Sequence, residues 1–168
     1  TLYVTDLDGT LLGPDATVSE FTARTIERLM DDGALITCAT GRSWTTTKRV
    51  LGDLRFHIPV ILYHGTFTYD ADADMLLDEH SLTESTMQTI VGACRRRRMP
   101  PLLYGMDGTT EQVSWVVGET NPGLAHFWAD RPSDLRNAPR ESLENLPLEG
   151  VFHEAAFGSP QVLESWAS

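Results

Sequence analysis

The sequence predicts an α/β protein: the first half of a doubly wound parallel sheet, followed by a second unit of mixed α and β structure. Three observations carry that expectation. Apolar runs at residues 2–4, 35–39 and 58–63 alternate with two segments of helical periodicity, a β-α-β-α-β order that requires parallel strands joined by right-handed crossovers. The first run leads into Asp6-Leu7-Asp8-Gly9-Thr10, so carboxylates gather where an apolar strand ends, the place where open α/β sheets bind ligands. From residue 82 the pattern changes to a long helix and then short strands, which divides the chain into units at 1–81 and 82–168.

In chain order, Asp6 and Asp8 face the same way if the first strand persists through Asp8. If the chain turns after Leu7, Gly9 supplies the bend. Gly13-Pro14-Asp15 is a turn, and Ser19 caps a helix over 20–32 with Thr22, Ile26, Leu29 and Met30 on one face, closed by Gly33. The second strand ends in Thr40-Gly41-Arg42, and Ser43 caps a helix over 44–51. After the third strand, runs at 64–69 and 75–78 form a hairpin around Asp70, Asp72 and Asp74. Those three acids begin a calcium-loop spacing, but Met75 and Ser81 occupy the positions that need Gly and Glu. A solvated turn is the better expectation.

Thr83 caps a helix reaching 98, with Met87, Ile90, Val91 and Cys94 in one stripe, and Pro100-Pro101 stops it. Strands are expected at 102–104 and 112–117 around a turn at Asp107-Gly108. Helices follow at 122–129 and 140–146, then a strand at 151–157, then a final helix opened by Ser159-Pro160.

Composition narrows the function classes. A net charge of −11 over 168 residues argues against nucleic acid or an anionic membrane as partner. It leaves room for a phosphorylated substrate, because a bound cation and local donors reverse the field inside a pocket. Two cysteines, Cys38 and Cys94, make no disulfide framework, and no apolar stretch approaches a membrane span. A reducing cytoplasm is the simple expectation.

The residues Asp6-Leu7-Asp8-Gly9-Thr10-Leu11-Leu12 resemble the first motif of the haloacid dehalogenase-like (HAD) phosphohydrolases, and residues 34–42, ending Ala39-Thr40-Gly41-Arg42, resemble the second. The resemblance implies a HAD-like core whose Asp6 is a nucleophile that becomes an aspartyl-phosphate. Asp8 is then the general acid/base, and Thr40 holds the transferring phosphoryl group. Gly9, Thr10, Gly41 and Arg42 would contact the phosphate, the last two through backbone N–H groups that open a helix. Asp6 and Asp8 would bind Mg²⁺. The segment from 82 resembles the large α/β cap of Cof-type members. The family's third-motif Lys and fourth-motif acids have no counterpart, since Lys48, the single lysine, lies in the helix after the second motif. The chain is therefore expected to be an N-terminal fragment with an incomplete cap. Its first strand would be an open sheet edge that invites pairing with another chain.

The expected function is Mg²⁺-dependent hydrolysis of a small phosphorylated metabolite such as a sugar phosphate. The alternatives are a phosphomutase, a non-catalytic binding or assembly module, and, less suited to the Asp-Gly-Thr context, a receiver-like phospho-acceptor domain. Several residues carry two readings each. Arg42 either meets substrate phosphate or pairs with a surface acid. Arg95 to Arg98 form either a phosphate patch or, the stronger reading, cations that suit a helix C-terminus. His64, where the family often has Asn, either lines the pocket or makes a structural hydrogen bond. Cys38 reads as a core residue, and Trp115, Phe127 and Trp128 as core packing.

Overall fold

The computed structural model describes residues 1–107 and 110–167, so the Gly108 half of the expected turn lies outside the described residues. The chain divides into two compact units, Thr1–His80 and Ser81–Ser168.

In the N-terminal unit β1 (Leu2–Thr5) and β2 (Leu35–Cys38) pair in parallel, Leu2 opposite Leu35 and Thr5 opposite Cys38. Ala39 then bridges Ile61 of β3 (Val60–Leu62), also in the parallel sense. Helix α1 (Glu20–Asp31) opens on Ser19, whose hydroxyl accepts from the Thr22 N–H, and buries Ile26 and Met30. Leu29, expected on the same face, is 41% exposed. It lies at the border of the apolar stripe, where burial is incomplete. Helix α2 (Trp44–Leu51) is capped by Ser43 and buries Thr47, Val50 and Leu51. Leu7, Leu54, Phe56, Val60 and Leu62 complete the packed interior. By contrast β1 leaves Leu2, Tyr3 and Val4 exposed at 56%, 57% and 49%. Its apolar side chains are presented on both faces of the strand.

β3 continues antiparallel into β4 (Phe67–Asp70) and β5 (Met75–Glu79). The acids between them serve the turn: Asp70 accepts from the Asp72 and Ala73 N–H groups, both at 3.0 Å. Asp74 accepts from the Tyr69 hydroxyl and the Trp44 indole.

The C-terminal unit is a four-stranded sheet of order β8-β7-β6-β9, with β6 at Pro101–Asp107, β7 at Thr110–Val116, β8 at Asn137–Arg140 and β9 at Val151–Ala156. Successive residues of a strand face opposite sides, and β7 shows the result. Val116 joins Leu103, Leu146 and Val151 in a buried cluster with Met87 of α3 (Glu84–Arg97). Trp115 faces the other way and makes a tilted ring contact, centroids 5.7 Å apart, with Trp128 of α4 (Pro122–Ala129). A last helix, α5 (Pro160–Ala167), follows Ser159 as expected.

One element differs from expectation. Residues 140–146 are not a helix: β8 pairs in parallel with β7 through Arg140, and only Leu143–Asn145 makes a single 3₁₀ turn. Pairing with β7 claims the segment through Arg140, and Pro139 is tolerated there because β8 is the outermost strand, where its missing N–H is harmless. The approach to β8 is held by Arg136, which donates to Asp134 at 2.7 and 2.9 Å and to Glu111 at 2.7 Å. Burial pushes Glu111 above the usual carboxylate range despite Arg136, whereas hydrogen bonding to Arg136 holds Asp134 below it. The run Arg95 to Arg98 ends α3, as the helix dipole favours. Arg95 and Arg98 line a surface cavity of about 510 Å³ together with Glu119, Glu141 and Glu144. The charges there are mixed, which speaks against a polyanion patch.

Met87 is fully buried at the centre of the C-terminal cluster. Met87→Ala is expected to cost about 2–5 kcal/mol, read from urea unfolding followed by tryptophan fluorescence.

Candidate active site

The parallel register brings three chain segments level at one end of the strands. Thr5 lies opposite Cys38, so Asp6 and the Ala39-Thr40 segment leave the two strands at the same end. The Ala39 N–H donates to the Thr5 carbonyl and the Thr40 N–H to the Ile61 carbonyl, each at 2.9 Å. Beyond β3 the chain returns: the His64 N–H donates to the Thr40 carbonyl at 3.0 Å and the Tyr63 N–H to the Arg42 carbonyl at 3.2 Å.

Of the two geometries open for the acidic motif, the structure takes the turn. β1 ends at Thr5, Asp6 is extended, and Leu7–Leu11 form one wide turn closed by the Leu12 N–H on the Leu7 carbonyl at 2.9 Å. Leu7 is fully buried and anchors the turn, while Asp6, Asp8, Gly9 and Thr10 stay exposed. Gly9 sits at φ 76° with open space around a notional β-carbon. Conformation, not crowding, is what calls for glycine there.

Asp8 is joined to the second strand end. The Arg42 Nε donates to one carboxylate oxygen at 2.7 Å and Nη2 to the other at 2.6 Å, a two-pronged fork that fixes geometry as well as charge. Hydrogen bonding to Arg42 holds the Asp8 carboxyl below the usual range, against the opposing effect of burial. So Arg42 does pair with an acid, and that acid is the expected general acid/base.

Thr40 is buried, and its hydroxyl accepts from the Arg42 N–H at 3.2 Å. This corrects one expectation: the Arg42 N–H is not free to meet an anion, because a threonine two residues earlier in such a turn reaches it first. The Thr40 hydroxyl keeps its own proton to donate. Gly41 has the His64 imidazole against its Cα, and a β-carbon there would collide with ring atoms Cε1 and Nε2. Asp6, Asp8, Thr40, Gly41 and Arg42 are therefore gathered by strand register and the fork. No described contact ties Gly9 or Thr10 to Thr40. His64 is the neighbour that sequence reading left undecided. Its signal was the residue pair after the third strand, but the close approach to Gly41 is a property of the folded chain alone.

Cys38 and Cys94 are buried and free, and burial raises both thiols to about 12, which removes either as a nucleophile. Among the described residues no group of three or more His, Cys, Asp and Glu side chains is arranged to hold a metal. Asp6 nonetheless suits a hard cation: it is exposed and makes no cap hydrogen bond to its own turn. Mg²⁺ sites of one or two carboxylates completed by water and substrate phosphate need no more protein than that. The Asp8 oxygens are shared with Arg42.

A family model of haloacid dehalogenase-like hydrolases matches residues 3–127. The chain belongs to that family. It is 37% identical over 73 residues to the 5-amino-6-(5-phospho-D-ribitylamino)uracil phosphatase of Bacillus subtilis, a match covering 44% of this chain and 27% of that protein. It is 29% identical over 119 residues to an HMP-PP phosphatase of Escherichia coli, covering 71% of this chain and 41% of that one. A solved phosphatase of the haloalkanoate (HAD) enzyme superfamily from Bacteroides thetaiotaomicron shares the HAD fold with a TM-score of 0.76 at 15% identity, over 98% of this chain and 58% of that one. The chain thus spans between about a quarter and three fifths of the length of these relatives.

Arg42→Met is expected to return the Asp8 carboxyl toward its ordinary value, read by carboxyl ¹³C shifts against pH. Because the Asp8 value in the fold is lowered, the pair stabilises above the unfolded value and that contribution is lost as pH falls through the lowered one. Asp8 is 56% exposed, so the loss of stability should stay below about 1 kcal/mol.

Proposed function

We propose that this HAD-like chain supplies the nucleophile half of a Mg²⁺-dependent phosphatase acting on a small phosphorylated metabolite, sugar phosphates included. The observation that carries the reading is the convergence of Asp6, the Asp8–Arg42 fork and Thr40 at the ends of β1 and β2. The Asp6 carboxylate attacks phosphorus and forms an aspartyl-phosphate, splitting the hydrolysis into two displacements. The leaving oxygen takes a proton from Asp8, which later accepts one from the attacking water. Thr40 donates to a phosphoryl oxygen, and Gly9, Thr10 and Gly41 border the anion. A bound Mg²⁺, held by Asp6 and Asp8, would offset the repulsion between carboxylate and phosphate.

Arg42 links the two halves of this scheme. Paired with Asp8 it keeps that group ionised, the state a base needs. Substrate phosphate would compete for the same guanidinium fork, and so ease protonation of Asp8 for the first step. On this reading residues 1–81 are the opening half of the catalytic core and 82–168 an α/β cap that selects substrate. The compounds in the names of these relatives, a phosphoribitylamino-uracil and HMP-PP, support a small phosphorylated substrate. The free buried thiols favour a reducing cytoplasm. No described helix is long and apolar enough to cross a membrane.

Asp6→Asn in the complete protein is expected to lower Mg²⁺-dependent phosphate release by at least about 10⁴-fold. Turnover near the wild-type rate would remove Asp6 from its role. A phosphomutase would share the aspartyl-phosphate and betray itself by passing label to a second substrate hydroxyl. The exposed β1 edge also supports self-association. Sedimentation of the 168-residue chain should show a concentration-dependent dimer that Val4→Lys abolishes, since a charge on an edge strand opposes pairing.

A further inference from the structure

We infer that the surface cavity at the end of α3 is a binding site for a basic α-amino acid, its carboxylate on Arg98 and its two ammonium groups on Glu119 and Glu141. The cavity holds about 510 Å³, within the range that small-molecule sites occupy. It lies in the C-terminal unit, where the end of α3, the turn after β7 and the segment after β8 meet. Arg98 is unusually placed. It ends α3 in the left-handed region, φ 54° and ψ 39°, which glycine or asparagine ordinarily takes. The helix dipole favours cations in the last turn, and Arg95, Arg96 and Arg97 already supply them. The dipole gives no reason to set a long side chain on a disfavoured backbone. That backbone is held on both sides: the Arg98 N–H donates to the Arg95 carbonyl at 3.2 Å and the Met99 N–H to the Cys94 carbonyl at 3.0 Å, and Met99 is buried. Backbones held in this way recur at ligand clamps, and the residue so held here is an exposed arginine on the cavity wall.

Charge supplies the class of ligand. Arg95, Arg98, Glu119, Glu141 and Glu144 line the cavity, one more acid than base. Arg95 and Glu144 are paired with each other at 3.9 Å. Among the described residues no hydrogen bond or ion pair engages the side chain of Arg98, Glu119 or Glu141. One unpaired cation and two unpaired anions therefore share a concave wall with Val117, an apolar side chain 58% exposed. A cleft with apolar walls focuses the field of the charges that line it. The complement is one carboxylate and two ammonium groups on an aliphatic stem that covers Val117, which describes lysine or ornithine. A simple anion would leave both acids unmatched, and a diamine would leave Arg98 unmatched. None of the residues at the ends of β1 and β2 takes part.

The test titrates the ¹⁵N-labelled chain with L-lysine and follows the amide signals of Gly118, Glu119 and Ser142. Norleucine, which lacks the side-chain ammonium, and cadaverine, which lacks the carboxylate, are the controls. The expected result is that lysine moves all three signals and that each control binds about 10-fold or more weakly. Arg98→Gln should abolish the preference for lysine over cadaverine, and Glu141→Gln should reduce the preference over norleucine. Both changes shorten or neutralise exposed side chains without touching the buried cluster, and Glu119→Gln stands in if either variant fails to fold. Cadaverine binding as tightly as lysine would remove Arg98 from the site and leave only a diffuse attraction of cations to acids. Norleucine binding as tightly would overturn the basic class. Unmoved signals at about 10 mM lysine, a concentration that would half-fill even a very weak site, would overturn the site itself.

Discussion

Everything at the candidate site depends on the parallel register that sets Thr5 against Cys38. Parallel strands bring like ends together, so the residues that follow each strand, Asp6 in one case and Thr40 in the other, reach the same edge without further design. The Asp8–Arg42 fork comes second in this order. It joins two loops that the register has already brought close.

The same logic accounts for what was legible in the sequence. Helices α1, α2 and α3 were readable because each begins on a residue with a side-chain oxygen suited to capping, Ser19, Ser43 and Thr83, and each of these oxygens accepts a backbone N–H in the structure. Local chemistry of that kind is written in consecutive residues. The failure at 140–146 came from a long-range term: Leu143 and Leu146 suggest an apolar helical face, but pairing with β7 claims the segment up to Arg140. At the site, motif residues located Asp6, Asp8 and Thr40. The partner of Arg42 lay 34 positions away in sequence, and no local pattern could choose between Asp8 and a surface acid.

Charge is distributed with a purpose that the net value of −11 conceals. At the strand ends the Asp8 charge is paired with the Arg42 guanidinium, which partly offsets the local negative field. In the C-terminal unit the arginines that close α3 lie among glutamates, and the pair Arg95–Glu144 spans 3.9 Å.

The Arg136 junction beside β8 has a consequence for behaviour in acid. Glu111 and Asp134 grip the same guanidinium but are displaced in opposite directions, one by burial and the other by hydrogen bonding. As protons are added Glu111 neutralises first, relieving a charge that folding had stranded away from water, while Asp134 holds its grip until the medium is more acidic. The rim of that sheet is thus released in two stages, and the strand whose proline cannot donate to a ladder keeps its anchor through the first of them.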